Sequence, residues 1–169
     1  MIRKKVVMLG SFSVGKTSLV RRFVSGIFSD RYLTTIGVRI DKKELVVDGN
    51  AVTLVLWDLH GDDDFQAVQP AQLRGSAGYF LVADGTRGAT LDVARRLQDL
   101  AQRNIGSVPF TLLLNKVDLE SQWEIDPRAI AELEAGGWPV QRTSAKTGDG
   151  VEQAFADLAR RMTSGGNGS

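Results

Sequence analysis

Short apolar runs alternate with segments of helical periodicity along most of the chain. Runs of four or five largely apolar residues are typical of strands that a parallel sheet buries on both faces. On this basis we expect strands at residues 6–9, 79–83 and 110–114, with a weaker last strand at 140–143. Two further strand-like segments, residues 38–47 and 52–57, lie on either side of Asp48-Gly49-Asn50. A turn sequence of this kind between two strand-like segments predicts a β-hairpin.

The segments between these strands carry apolar positions at the spacing of amphipathic helices. One helix is predicted after the first strand, around Leu19 and Phe23, and another around Leu97. Asp126-Pro127 predicts the start of a third helix, because aspartate is a favoured N-cap and proline a favoured first helical residue. The clearest helical pattern begins at Val151. Strands alternating with helices predict an α/β fold around a mostly parallel sheet.

Composition narrows the range of functions. The 169 residues, 43% apolar and 24% charged, suit one globular domain, which we expect over residues 1–163 with a flexible tail at 164–169. The net charge of +1 gives no global attraction for nucleic acid. The chain has no cysteine, which excludes disulfides and a direct prenyl or palmitoyl anchor. With no signal peptide and no apolar run of ~20 residues, we expect a cytoplasmic protein.

The strongest chemical signal is Gly10-Ser11-Phe12-Ser13-Val14-Gly15-Lys16-Thr17, a full match to the phosphate loop G-x-x-x-x-G-K-[ST] between a buried strand and a helix. Such a loop directs backbone N–H groups at phosphate, while Lys16 would neutralise the β and γ phosphates and the Thr17 hydroxyl would bind Mg²⁺. A chance glycine turn with a solvated lysine is the alternative. The predicted phosphate-binding residues are Ser13, Val14, Gly15, Lys16, Thr17 and Ser18.

Two further loops carry polar residues where predicted strands end. Asn115-Lys116-Val117-Asp118 follows one strand and Thr143-Ser144-Ala145-Lys146 follows the last. Open α/β sheets bind ligands at the carboxyl ends of their strands. The Asp118 carboxylate can accept hydrogen bonds from guanine N1–H and its exocyclic amine, a donor pair that adenine lacks. Ordinary loop residues are the alternative, but together with the phosphate loop this pattern predicts a guanine nucleotide.

With these motifs in order, the chain resembles a small GTPase of the Ras superfamily, nearest the Rab branch and its bacterial Rab-like relatives. The likeness covers residues 2–162. It implies the three-layer P-loop NTPase fold, with a six-stranded, mostly parallel sheet that has one antiparallel strand, and five helices. It also implies a GTP/GDP switch that needs Mg²⁺, hydrolyses GTP, and works with effectors, an exchange factor and a GTPase-activating protein. The absence of a C-terminal cysteine fits a bacterial relative.

The resemblance also assigns roles around the base. It implies that Asn115 organises the loops, that Lys116 lays its stem along the base, and that the Ala145 N–H meets guanine O6. Ser144 and Lys146 belong to the same base-binding motif. Phe28 matches an aromatic residue that packs edge-on to the base, although it could equally anchor its loop in the core.

Three matches concern the metal and the γ-phosphate. The resemblance implies that Thr35 binds Mg²⁺ and the γ-phosphate when GTP is present. It implies that Asp58, directly after a predicted strand, holds Mg²⁺ through water. It implies that the N–H of Gly61 contacts the γ-phosphate. Loss of that phosphate would release the Thr35 loop, as in a nucleotide-dependent switch.

The second switch departs from the family pattern. Relatives usually carry Asp-Thr-Ala-Gly-Gln-Glu, whereas this chain has Asp58-Leu59-His60-Gly61-Asp62-Asp63. Asp62 replaces the glutamine that orients the attacking water, and a carboxylate cannot donate toward phosphate. His60 could position water, but a lone histidine is more often a packing residue, and the acidic run at 62–64 could cap a helix.

Phe12 is the other departure, because relatives carry a small residue there. Its ring would either crowd the space over the γ-phosphate or turn away and pack. A GTP/GDP-cycling switch with slow hydrolysis is the favoured hypothesis, and a guanine-nucleotide-binding scaffold with negligible hydrolysis is the alternative. An ATP-dependent nucleotide kinase would leave residues 115–118 unexplained.

Overall fold

The computed structural model describes residues 2–26, 38–59 and 68–164. Strands and helices alternate along these residues as the apolar pattern predicts. The strands are β1 (Ile2–Gly10), β2 (Val38–Val47), β3 (Asn50–Leu59), β4 (Ser76–Asp84), β5 (Phe110–Asn115) and β6 (Val140–Thr143). The α-helices are α1 (Lys16–Ser25), α2 (Pro70–Leu73), α3 (Ala89–Ile105), α4 (Pro127–Ala135) and α5 (Val151–Ser164), and a 3-10 helix spans Val117–Gln122.

The six strands form one sheet in the order β2-β3-β1-β4-β5-β6. Strand β2 runs antiparallel to β3, and the other pairings are parallel. The hairpin predicted at Asp48-Gly49-Asn50 is present, with Val47 opposite Asn50. The predicted α/β class, with one antiparallel strand in a mostly parallel sheet, is therefore confirmed. Five parallel strands end at the same edge of the sheet, which is where this topology binds ligands.

The sheet buries both faces, because alternate residues of its central strands pack to opposite sides. On one face, Val6 and Phe80 pack with Phe155 of α5, whose ring stacks on Phe23 of α1 at 4.0 Å. On the other face, strand residues such as Leu81 pack with Leu97 of α3 and with α4. Helices on both faces of one sheet make the three layers predicted.

Several elements extend beyond the predicted runs, among them β3, predicted at 52–57, and β4, predicted at 79–83. Strand β1 begins at Ile2, earlier than the apolar run suggests, because its polar first half still pairs with β3 from Ile2 opposite Val52. Helix α5 continues through Ser164, one residue into the expected tail. The predicted N-cap is confirmed, since the Asp126 side chain accepts a hydrogen bond from the Arg128 N–H. Among the described residues, no helix combines the length and the apolar character that crossing a membrane requires.

Candidate functional site

The phosphate loop joins β1 to α1, and two of its glycines are fixed by close neighbours. A Cβ on Gly10 would lie 2.6 Å from the Val82 carbonyl oxygen of β4. A Cβ on Gly15 would lie 2.3 Å from the Asn115 Nδ2, and Gly15 has a φ of 103°, in the left-handed region. Ser13 has a φ of 68°, which side-chain-bearing residues rarely adopt. Strain of this kind concentrates at ligand-binding loops.

Lys16 begins α1 and folds back over the loop. Its ammonium donates to the carbonyl oxygens of Gly10 at 2.9 Å and Ser11 at 3.2 Å, and the residue is only 6% exposed. Burial lowers the pKa of Lys16 to about 8; the nearby Asp58 carboxylate opposes that shift and the Arg87 guanidinium adds to it. The loop thus buries a cation among backbone carbonyls, where an anionic ligand would stabilise its charge.

Thr17 and Asp58 meet beside Lys16. Asp58 lies near the end of β3, opposite Met8 of β1, and is fully buried. The Thr17 hydroxyl donates to Asp58 Oδ2 at 2.6 Å. The oxygen atoms of a hydroxyl and a carboxylate are hard metal ligands, the kind that Mg²⁺ prefers in combination with phosphate oxygens. The donor chemistry of this pair therefore fits the predicted metal.

Asn115 connects the base loop to the phosphate loop. The register of the sheet places Asp84, Asn115 and Thr143 side by side at the ends of three strands. Asn115 Nδ2 donates to the Val14 carbonyl oxygen at 3.0 Å, and its Oδ1 accepts from the Thr143 hydroxyl at 3.1 Å. Both bonds are buried, and both ends of the amide are used. Asn115 thus ties its own loop both to the phosphate loop and to the end of β6.

The two predicted base-binding loops lie against each other. The Ser144 hydroxyl donates to Asp118 Oδ1 at 2.8 Å and accepts from the Thr147 N–H at 3.1 Å. Ser144 and Ala145 are buried, whereas Asp118 and Lys146 are exposed. A carboxylate held by a buried hydroxyl at the rim of the site can accept the paired donors of guanine.

Asp84 is a buried carboxylate at this edge that the sequence analysis did not single out. Its side chain is 1% exposed and forms an ion pair with Lys116 Nζ at 2.8 Å. Lys116 adopts a left-handed φ of 73°, and its carbonyl oxygen accepts from Trp123 Nε1 at 2.9 Å. The Trp123 ring packs on Gly85 so closely that a Cβ there would overlap it. Asp84 directly follows the apolar run 79–83, as Asn115 follows its own run, and that placement was the available signal.

The remaining predicted site residues are distributed as follows. Phe12 is 39% exposed and belongs to neither buried layer of the core, so it does not pack into the interior. The residues expected near the γ-phosphate and the water, and the predicted aromatic neighbour of the base, lie outside the described residues: Phe28, Thr35, His60, Gly61 and Asp62. The described part of the chain therefore brings together the phosphate loop, Asp58 and both base loops.

Comparison with known proteins agrees with this geometry. The model of the Ras family matches residues 5–164. The chain is 36% identical over 168 residues to Ras-related protein Rab-7a of Dictyostelium discoideum, covering 92% of this chain and 80% of that protein. It is 37% identical over 164 residues to the Ypt/Rab-type GTPase ypt7 of Pyricularia oryzae, with the same coverage. Ras-related protein Rab-21 of Mus musculus is 34% identical over 160 residues, 94% of this chain and 72% of that protein. The chain therefore belongs to the Ras family, as a Rab-like small GTPase.

Proposed function

We propose that this protein is a molecular switch that binds GTP and GDP at the strand-end site, hydrolyses GTP slowly and recruits partners in the GTP state. One observation carries the proposal. The phosphate loop, the Thr17–Asp58 pair and the Asp118–Ser144 pair occupy neighbouring strand ends, so a single nucleotide can meet all of them. Their order along the edge runs from metal and phosphate ligands to a base acceptor.

The half of the site that would bind the phosphates relies on the charge of Lys16, on a metal ion and on backbone N–H groups. Lys16 exchanges its two carbonyl contacts for phosphate oxygens, which raises its pKa from the lowered value. Thr17, Asp58 and Thr35 are the residues that would hold Mg²⁺, with Thr35 joining in the GTP state. Bound Mg²⁺ would neutralise charge on the phosphates. The N–H of Gly61 meets the γ-phosphate in the same state.

The base half selects guanine through Asp118. Asn115, Lys116, Ser144, Ala145, Lys146 and Phe28 complete the pocket around the ring. Asp118→Asn keeps an acceptor for the Ser144 hydroxyl but replaces the second carboxylate oxygen with a donor. GDP then loses one of its paired acceptors, at a cost of ~1–3 kcal/mol, or about 5- to 150-fold in affinity. Xanthosine diphosphate, which presents a carbonyl in place of the amine, should gain affinity.

Calorimetry with both nucleotides tests this assignment in Asp118→Asn beside the matched control Glu120→Gln. Glu120 is an exposed carboxylate two residues further along the same 3-10 helix. The control should bind GDP like the parent. Unchanged GDP affinity in Asp118→Asn, or an equal loss in both variants, would contradict the proposed base site.

We infer slow hydrolysis from two residues. Asp62 lacks the amide that orients water, and the exposed Phe12 side chain stands at the phosphate loop, where an arginine from an activating partner would enter. His60 is the remaining candidate for positioning water. Single-turnover hydrolysis of Asp62→Gln should exceed that of the parent, and His60→Ala should lower the residual rate. Fast hydrolysis by the parent that survives loss of His60 would contradict this inference.

The partners that we propose follow from the GTP/GDP cycle. An exchange factor, an activating protein and effectors are the protein partners that we expect in the cytoplasm, because each acts on one step of the GTP/GDP cycle.

A further inference from the structure

The buried carboxylate of Asp84 stands at the centre of a polar cluster, the Asp84 cluster, which it forms with the half-buried residues Thr86, Arg87 and Lys116. Oδ1 accepts from the Thr86 N–H at 2.9 Å and from its hydroxyl at 2.7 Å. Oδ2 pairs with Lys116 Nζ at 2.8 Å and with Arg87 Nε at 3.1 Å. Burial alone would raise the pKa of Asp84, but the contacts of Lys116 and Thr86 outweigh it and hold the pKa below its ordinary value. The carboxylate is therefore charged and fully engaged.

Arg87 extends the cluster to the phosphate loop. While Nε donates to Asp84, Nη2 of the same guanidinium donates to the Phe12 carbonyl oxygen at 2.8 Å. The two donors of a planar guanidinium have a fixed relation, so the position of Asp84 determines where the Phe12 carbonyl is held. The guanidinium of Arg87 thus connects Asp84, at the end of β4, to Phe12 of the phosphate loop, which lies 75 residues before Arg87 in the chain.

The orientation of this carbonyl matters for ligand binding. In a trans peptide the C=O of one residue and the N–H of the next point in opposite directions. A Phe12 carbonyl fixed toward Arg87 therefore turns the Ser13 N–H the other way, and Ser13 is held in the left-handed region at a φ of 68°. Asn115 acts similarly on the Val14 carbonyl, which orients the Gly15 N–H.

We propose that Arg87 is a positioning residue of the nucleotide site, and that Asp84 couples its two halves by holding Arg87 on the phosphate loop and Lys116 on the base loop. The inference rests on the proposed function, in which this site holds guanine nucleotide. It assigns Arg87 to the diphosphate half alone and Asp84 to both halves.

The two assignments predict different effects on GDP and GMP. GMP lacks the β-phosphate that the N–H groups of the phosphate loop would bind, so the rate of GMP release should depend little on Arg87. Arg87→Met keeps the side-chain length without donors and should speed GDP release about tenfold or more, with GMP release within about twofold of the parent. Asp84→Asn should speed release of both nucleotides. Arg87→Lys should fall between parent and Arg87→Met, because one ammonium cannot reproduce the fork.

Arg95→Met is the matched control. Arg95 forms an (i, i+3) ion pair with Asp92 and its side chain is 42% exposed, against 43% for Arg87 in its own (i, i+3) pair with Asp84. The structure gives Arg95 no bond to the phosphate loop among the described residues. Arg95→Met should release both nucleotides at the parent rate.

The experiment measures dissociation of GDP and GMP from each variant by stopped flow at fixed Mg²⁺, together with thermal unfolding. A purely structural role for Arg87 would lower the melting temperature while changing GDP and GMP release equally, and that result would overturn the inference. Equal GDP release from Arg87→Met and Arg95→Met would overturn it as well. If the parent binds neither nucleotide, the proposed function itself fails. A selective loss of GDP retention in Arg87→Met, with Arg95→Met unchanged, supports the inference.

Discussion

Asn115→Asp tests the contact of Asn115 with the phosphate loop apart from its contact with the neighbouring strand β6. The substitution exchanges the Nδ2 donor for a carboxylate oxygen and keeps the acceptor for the Thr143 hydroxyl. The Val14 carbonyl then faces a second acceptor in a site where Val14 is fully buried and residue 115 is 2% exposed. The matched variant Thr143→Val does the reverse, because it removes the hydroxyl and leaves the bond to Val14 in place.

The magnitude follows from the burial of this contact. A buried carbonyl that loses its donor costs about 1–3 kcal/mol, which corresponds to about 5- to 150-fold in affinity when the cost falls on the ligand-binding conformation. We therefore expect Asn115→Asp to bind GDP at least about tenfold more weakly at neutral pH. Part of the loss should recover at acid pH, because a protonated carboxyl can again donate to the Val14 carbonyl. Thr143→Val should lower unfolding stability by about 1 kcal/mol and leave GDP affinity within about threefold.

Displacement of a fluorescent GDP analogue, measured across pH, gives the affinities, and urea unfolding gives the stabilities. A loss of GDP affinity in Thr143→Val as large as that in Asn115→Asp would contradict this prediction. Parent-like affinity in a folded Asn115→Asp variant would contradict it as well, because the Val14 carbonyl would then need no side-chain donor to keep the loop in its binding conformation.

Two further predictions concern Trp123, which contacts the base loop, and the buried carboxylate of Asp84. Trp123→Phe keeps an aromatic ring beside Gly85 but loses the donor to the Lys116 carbonyl, so urea unfolding should show a loss of ~0.5–1.5 kcal/mol. The folded pKa of Asp84 lies below its ordinary 3.8, so its stabilising contribution is fully present above that value and is lost as pH falls through the folded pKa. Unfolding free energy measured from about pH 5 downward should therefore fall less steeply in Asp84→Asn than in the parent, and equal slopes would contradict the assignment of a charged, engaged carboxylate.

The sequence predicted those parts of the site that depend on local pattern. The phosphate loop is contiguous, so its eight-residue motif specifies both the strand before it and the helix after it. The strand cores were predictable because burial on both faces makes them continuously apolar. The polar first half of β1 was not, since its pairing with β3 depends on the register of the partner strand rather than on its own residues.

The Asp84 cluster could not be derived in the same way. Its members come from the end of β4, the turn after it and the loop after β5, and only the register that sets Asp84 beside Asn115 brings them together. An aspartate at the end of an apolar strand was visible in the sequence, but its partners were not. The Thr17–Asp58 contact was predictable only by combining two assignments to one metal, that of Thr17 from the phosphate-loop motif and that of Asp58 from the family resemblance.

The carbonyl groups of the phosphate loop explain how a short loop becomes an anion site. Lys16 donates to the carbonyls of Gly10 and Ser11, Arg87 to that of Phe12, and Asn115 to that of Val14. In the proposed function phosphate takes over the Lys16 contacts, so Arg87 from the turn after β4 and Asn115 at the end of β5 are the donors that keep their carbonyls in place. Because each trans peptide opposes its C=O to the following N–H, these two contacts fix the direction of the Ser13 and Gly15 N–H groups, which an anion can accept. We therefore expect substitutions of Arg87 or Asn115, or of Asp84, which holds Arg87, to weaken phosphate binding without altering the loop's own sequence.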